Sequence, residues 1–125
     1  VSNSHMNHKH THKISEKEFY QAYKIFFGTL VSESRLRIIN MLRKGKKNVS
    51  EIVDELKLDQ TAVSHDLARL KKCGFVDVET NGKFRYYKLN EKTIKPLMEI
   101  IDKHMSEHCV HILKEIKGVK MNGKK

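Results

Sequence analysis

A chain of 125 residues holds one domain with a modest core, and 38% hydrophobic residues with a mean hydropathy of −0.60 suit a fold that faces water. With 25 Lys and Arg against 15 Asp and Glu, the formal charge of +10 favours a polyanionic partner, because basic side chains on phosphates release condensed counterions. No apolar run approaches the ~20 residues that span a bilayer, nothing at the start resembles a signal peptide, and Cys73 and Cys109 make no disulfide framework, so a cytoplasmic setting without a membrane is expected.

Val1-Ser2-Asn3-Ser4-His5 reads as a cloning remnant ahead of Met6, and residues 1–14 as that remnant plus a flexible His-rich arm. Ser15 and Glu18 have the spacing of a capping box and open a first helix, to about residue 29, with Phe19, Tyr23, Phe26, Phe27 and Leu30 as its apolar residues. Ser32 or Ser34 starts a second helix that buries Leu36, Ile38, Ile39, Met41 and Leu42 and stops at Gly45 in a basic stretch. Asn48 caps a short third helix carrying Val49, Ile52, Val53 and Leu56. Leu58 packs the turn, and Asp59 caps the fourth helix.

That fourth helix places Gln60, Thr61, Ser64, His65 and Arg69 on its polar side, while Ala62, Val63, Leu67 and Leu70 recur at core spacing. Cys73-Gly74 closes it, glycine being able to take the left-handed conformation that ends a helix. Residues 48–56 and 59–73 together read as a helix-turn-helix, whose second member enters the major groove while the first crosses the backbone. Two β-prone runs, residues 75–79 and 84–89, flank Asn81-Gly82, a strong signal for a two-stranded hairpin.

A long last helix begins near Thr93, preferred to Asn90 as its cap because it puts Pro96 in the first turn. Ile94, Met98, Ile101, Met105, Cys109, Ile112 and Ile116 form one stripe, flanked by His104, Glu107, His108, His111 and Glu115. So apolar a helix at the end of a small domain points to a homodimer interface. The expected fold is mainly α with a small β-hairpin, a winged helix-turn-helix in the order α-α-α-α-β-β-α over residues 15–117, followed by a basic flexible tail over 118–125.

The stretches SESRLRIINMLRKGKKNVSEIVDELKLDQTAVSHDLARLKKCGFV and GKFRYYKL resemble the arsenic-repressor-type (ArsR/SmtB) winged-helix transcription regulators, and the likeness covers residues 27–108. The first stretch resembles that family's opening helix pair, its Ser-His recognition helix and short Gly-Phe-Val exit; the second resembles its wing. The resemblance implies a dimeric repressor whose first and last helices build the interface and which binds a double-stranded DNA operator. By position it makes Gln60, Thr61, Ser64, His65 and Arg69 the DNA-facing candidates, with Lys83 and Arg85 reaching from the wing. Of these, Gln60, Ser64 and His65 suit base edges or backbone, whereas Arg69, together with Lys71 and Lys72, suits phosphate. The bland reading of His65 and of the lysines is a solvated face.

Many relatives sense a metal through paired sites on the last helix, and the matching positions here are Glu91, Thr93, His104 and Glu107. Thr93 departs from the pattern and removes an imidazole that favours zinc or nickel. His104, His108 and His111 at i, i+4 and i+7 are able to rebuild a Zn or Ni site with Glu107, and His8, His10 and His12 form an H-x-H-x-H run that can reach over it. Against this stands the reading of these histidines as polar edge residues and a low-complexity tail. The family's paired-cysteine motif is absent, Asn48-Val49-Ser50-Glu51 standing in its place, so Cys73 and Cys109 read as buried small hydrophobes rather than thiol sensors.

The leading expectation is therefore a dimeric, sequence-specific double-stranded DNA-binding repressor, with release by a transition metal left open beside retention without one. An effector-independent or thiol-responsive regulator, and a winged-helix protein-interaction module, are the alternatives. No nucleophile and base are paired in a way that suggests an enzyme.

Overall fold

Local capping chemistry starts most of the helices in the computed structural model, which describes residues 13–117. Helix α1 (Glu16–Leu30) opens on a complete capping box: Glu18 N–H donates to Ser15 Oγ at 3.1 Å and Ser15 N–H to Glu18 Oε1 at 2.9 Å. Ser32 Oγ caps α2 (Glu33–Leu42) by accepting from Arg35 N–H. Asn48 and Glu51 make a second capping box on α3 (Val49–Leu56), and Asp59 Oδ2 accepts from Ala62 N–H at the start of α4 (Gln60–Lys72). Between α3 and α4, Lys57 takes a left-handed conformation with φ of 58°, which makes the turn of the helix-turn-helix.

The end of α4 follows from Gly74, whose φ is +79°. Phe75 N–H reaches back to Leu70 O at 2.8 Å and Gly74 N–H to Lys71 O at 3.0 Å, the pair of bonds that glycine in this position allows. The chain then enters β2 (Val76–Asn81) and returns as β3 (Phe84–Leu89), Asn81 opposite Phe84. Gly82 and Lys83 are thus the two turn residues, and Gly82, with φ of +65°, takes the first central position.

One feature is not anticipated by the hairpin expectation. Lys47–Asn48 forms a short strand, β1, antiparallel to β3 in the register Lys47↔Tyr87 and Asn48↔Tyr86, so the sheet has three strands in the order β1-β3-β2. Asn48 thereby ends a strand and caps α3 at once, which fixes the helix-turn-helix to the root of the wing.

The core lies among α2, α3, α4 and this sheet: Ile38, Ile39, Ile52, Val63, Leu70 and Phe75 have no exposed surface. Helix α1 joins it mainly along one edge, where Phe26 stacks on Phe75 with ring centroids 5.2 Å apart and Thr29 is fully buried.

The last helical segment is three pieces: α5 (Ile94–His104), a π-helical turn (Met105–Cys109) and α6 (Val110–Ile116). Ile94 and Met98 are buried and Ile101 half-buried, but the rest of the expected stripe is exposed because the helix runs past the end of the core. Cys109, expected inside, is exposed for that reason, whereas Cys73 is half-buried. The start of α5 also differs from expectation. The Thr93 side chain makes no cap bond; Asn90 Oδ1 accepts from Lys92 N–H at 3.0 Å and Thr93 N–H at 3.1 Å. Among the described residues no helix is long and apolar enough to cross a membrane.

Candidate nucleic-acid interface

The apolar spacing of α4 turns Val63, Leu67 and Leu70 inward and leaves Gln60, Thr61, Ser64, His65 and Ala68 exposed. Beside the exposed side stands the wing, and between them runs an open groove of about 870 Å3. Ser64, Lys71 and Lys72 border it from α4, Lys83 and Arg85 from the wing, and Asn48 and Ser50 from the first turn of α3. On β3, alternation sends Arg85 and Tyr87 to the groove side, and the Arg85 guanidinium lies 5.8 Å from the Tyr87 ring centroid.

Two properties of this groove are chemically specific. Among the described residues its two walls carry four cations, whereas no acidic side chain lines it. Between the walls lie the short polar groups of Asn48, Ser50 and Ser64, beside apolar side chains that include Leu67, Phe84 and Tyr87. Such a surface suits a phosphate-lined duplex, with cations at the rims for the backbone and short polar groups where base edges come close.

The expected DNA-facing residues do not all share this groove. Ser64, Lys83 and Arg85 border it, and Gln60, Thr61 and His65 are exposed along the first two turns of α4. Arg69 lies on the other flank of α4, where its Nε donates to the Thr29 hydroxyl of α1 at 3.0 Å. Beside it Asp66 is buried, accepting from Ser34 Oγ at 2.6 Å and from Arg35 Nη1 at 3.2 Å. The sequence reading passed over Asn48 and Ser50 as groove residues, and Asp66, Arg35 and Thr29 as a polar network. An aspartate set between Val63 and Leu67 at core spacing was the available signal for the latter.

The expected metal residues are spread along the last helical segment. The His104 and His108 rings lie with centroids 4.6 Å apart across the π-helical turn, and His108 Nε2 is 3.9 Å from Glu107 Oε1. His111 is exposed one turn on, while Glu91 precedes α5 at its opposite end. Among the described residues no three His, Cys, Asp or Glu side chains gather closely enough to hold an ion. The described donors of one chain therefore do not by themselves fit a four-coordinate centre. His8, His10 and His12 lie outside the described residues, as do 118–125.

A second surface is apolar. On α1, Tyr20, Tyr23 and Phe27 are each more than half exposed, and Tyr23 stacks on Phe27 at 6.3 Å. Ile100, Ile112, Leu113 and Ile116 are likewise exposed on the last helices. The ring contacts that join Tyr20, Tyr23 and Phe27 make the α1 exposure a continuous apolar face, of the kind that marks an interaction site.

Residues 32–78 match the family model described as bacterial regulatory protein, arsR family. The chain is 31% identical over 86 residues to an HTH-type transcriptional regulator of Methanocaldococcus jannaschii, the match covering 68% of this chain and 97% of that protein. It is 36% identical over 76 residues to the cadmium resistance transcriptional regulatory protein CadC of Listeria innocua, covering 60% of this chain and 64% of that one. Among solved structures, it superimposes with a TM-score of 0.69 and 23% identity on the homodimeric winged helix-turn-helix DNA-binding domain of a Mycobacterium bovis protein, covering 78% of this chain and 93% of that one. At that identity the structural likeness speaks for the fold, a winged helix-turn-helix.

Proposed function

Because the chain belongs to the arsR family of bacterial regulatory proteins, we propose that it is a homodimeric, sequence-specific double-stranded DNA-binding repressor acting in the cytoplasm. The observation that carries this reading is the cationic groove between α4 and the wing, bordered by Lys71, Lys72, Lys83 and Arg85 with Ser64 beneath them. The exposed aromatic face of α1 and the apolar side of the last helices support the dimer. Two recognition helices related by a two-fold axis then address half-sites about one helical turn apart.

The test is fluorescence anisotropy on a duplex that the protein itself selects from a random-sequence pool, against a scrambled duplex, at physiological salt. Specific binding at least roughly a thousandfold tighter than to the scrambled duplex is expected. Equal affinity for both would refute sequence-specific regulation.

A transition-metal effector is a second reading, favoured by the close His104–His108 pair and by the likeness to a cadmium resistance regulator. The remaining ligands must then come from a second copy or from outside residues 13–117. The same assay with Zn2+ and with chelator decides it: a fall of tenfold or more in operator affinity supports metal release, and unchanged affinity removes it.

A further inference from the structure

The flank of α4 that faces α1 is held by two polar contacts that meet at the last turn of α1. Arg69 Nε donates to Thr29 Oγ1 at 3.0 Å, and that hydroxyl in turn donates to Ile25 O at 2.8 Å. Cys73 Sγ lies 3.5 Å from the same oxygen. One turn back along α4, Asp66 Oδ1 accepts from Arg35 Nη1. The same guanidinium donates from Nε to Thr29 O at 2.8 Å and from Nη2 to Gly28 O at 3.2 Å. Carbonyls at a helix C-terminus lack intrahelical donors, and a cation there is favoured by the helix dipole as well. A single arginine of α2 therefore completes the end of α1 and grips the recognition helix.

The apolar stripe of α4 turns one side of the helix to the core but sets its rotation only coarsely, because burial is non-directional. Hydrogen bonds weaken steeply when bent. Thr61, His65 and Arg69 follow one another at i, i+4 and i+8, so a rotation of α4 that breaks the Arg69 contact carries the exposed reading residues with it. Helix α1 also presents the aromatic face assigned above to the dimer.

Resting on the functional reading above, we propose that Thr29 and Arg69, with Arg35 and Asp66, are positioning residues for DNA recognition: they lock the recognition helix to the dimerisation helix, and Arg69 acts through Thr29 rather than as a phosphate contact. Thr29 is fully buried, so it has no means of touching DNA itself. Any effect of its hydroxyl on sequence discrimination must pass through this joint.

The experiment compares full-length wild type, Thr29→Val, Thr29→Ser and Arg69→Gln by anisotropy on the selected operator and on scrambled duplex, across a salt series. Melting temperature and sedimentation are followed in parallel. Thr29→Val is expected to lose about tenfold in operator affinity while scrambled-DNA affinity, salt slope and dimerisation stay at the wild-type values. Thr29→Ser, which keeps the hydroxyl, restores operator affinity, and Arg69→Gln matches Thr29→Val with no change of slope. The proposal is overturned if Thr29→Val binds the operator like wild type, if operator and scrambled affinity fall together with the melting temperature, or if Arg69→Gln lowers the salt slope by about one ion, the mark of a lost phosphate contact. Wild type that selects no sequence at all would overturn the functional reading itself, a result distinct from these three.

Discussion

Asp66 of α4 and Arg35 of α2 form an ion pair at 3.2 Å with side chains only 12% and 17% exposed, and Ser34 fills the second carboxylate oxygen. A carboxylate this enclosed is tolerated because both oxygens are satisfied. Replacing Asp66 by Ala removes the counter-ion of the Arg35 guanidinium, which keeps only the Thr29 and Gly28 carbonyls, and takes from Ser34 its carboxylate acceptor. A loss of about 2–3 kcal/mol in unfolding free energy is expected, measured by urea denaturation. A loss below roughly 0.5 kcal/mol would show that water replaces the carboxylate freely.

Asn90 does more at the root of the wing than its place in a turn suggests. Its Oδ1 accepts from Lys92 and Thr93 N–H, and its Nδ2 donates to Gly74 O at 2.9 Å, tying the start of α5 to the end of α4. Asn90→Ala is therefore expected to cost about 1–2 kcal/mol, while Thr93→Ala, which removes no cap bond, stays within about 0.5 kcal/mol of wild type. Thermal melts of the two variants give the ranking; the reverse order would return the cap to Thr93.

These two sites also show which parts of the fold were legible. Ser15 with Glu18, Asn48 with Glu51, and Asp59 cap through neighbours three residues away, so the local sequence states them outright. Gly74 and Gly82 mark turns for an equally local reason, their positive φ. Asn90 and Thr93 are locally ambiguous, and what separates them is Gly74 O, a partner 16 residues distant. The strand Lys47–Asn48 exists only because Tyr86 and Tyr87 are folded back beside it. In the candidate site, Ser64 is readable from helical spacing, whereas Lys83 and Arg85 follow only from the resemblance to the family's wing. Arg69 sits where the exposed side of α4 meets its buried side, and its direction is set by Thr29, 40 residues earlier.

The groove residues divide into two kinds by chemistry. Lys83 and Arg85 are long cations on the wing, so each alanine substitution is expected to weaken operator and scrambled duplex alike and to lower the salt slope by about one. Ser64 is short and uncharged and lies on the recognition helix. Ser64→Ala is expected to leave the slope unchanged and to reduce discrimination by about 1 kcal/mol. Anisotropy titrations at several salt concentrations separate the two patterns, and a slope change for Ser64→Ala would reassign it to the backbone.

Phe27 offers the sharpest test of the dimer. Its ring is 58% exposed, packs edge-on against Phe26 at 5.1 Å and continues the Tyr23 stack along the outer side of α1. Within one chain the ring has little to lose, so Phe27→Glu should leave the monomer's fold intact. Across a dimer interface, a carboxylate facing an apolar surface loses its water without gaining a partner. Dimerisation is then expected to weaken by about 2 kcal/mol or more, roughly thirtyfold, as for a central aromatic anchor. Sedimentation over a concentration series reads this directly. Operator binding should become steeply concentration-dependent in step with it, since one recognition helix retains its groove but loses the second half-site. A variant that sediments as wild type would move the interface to the last helices, where Ile112, Leu113 and Ile116 are the next residues to change.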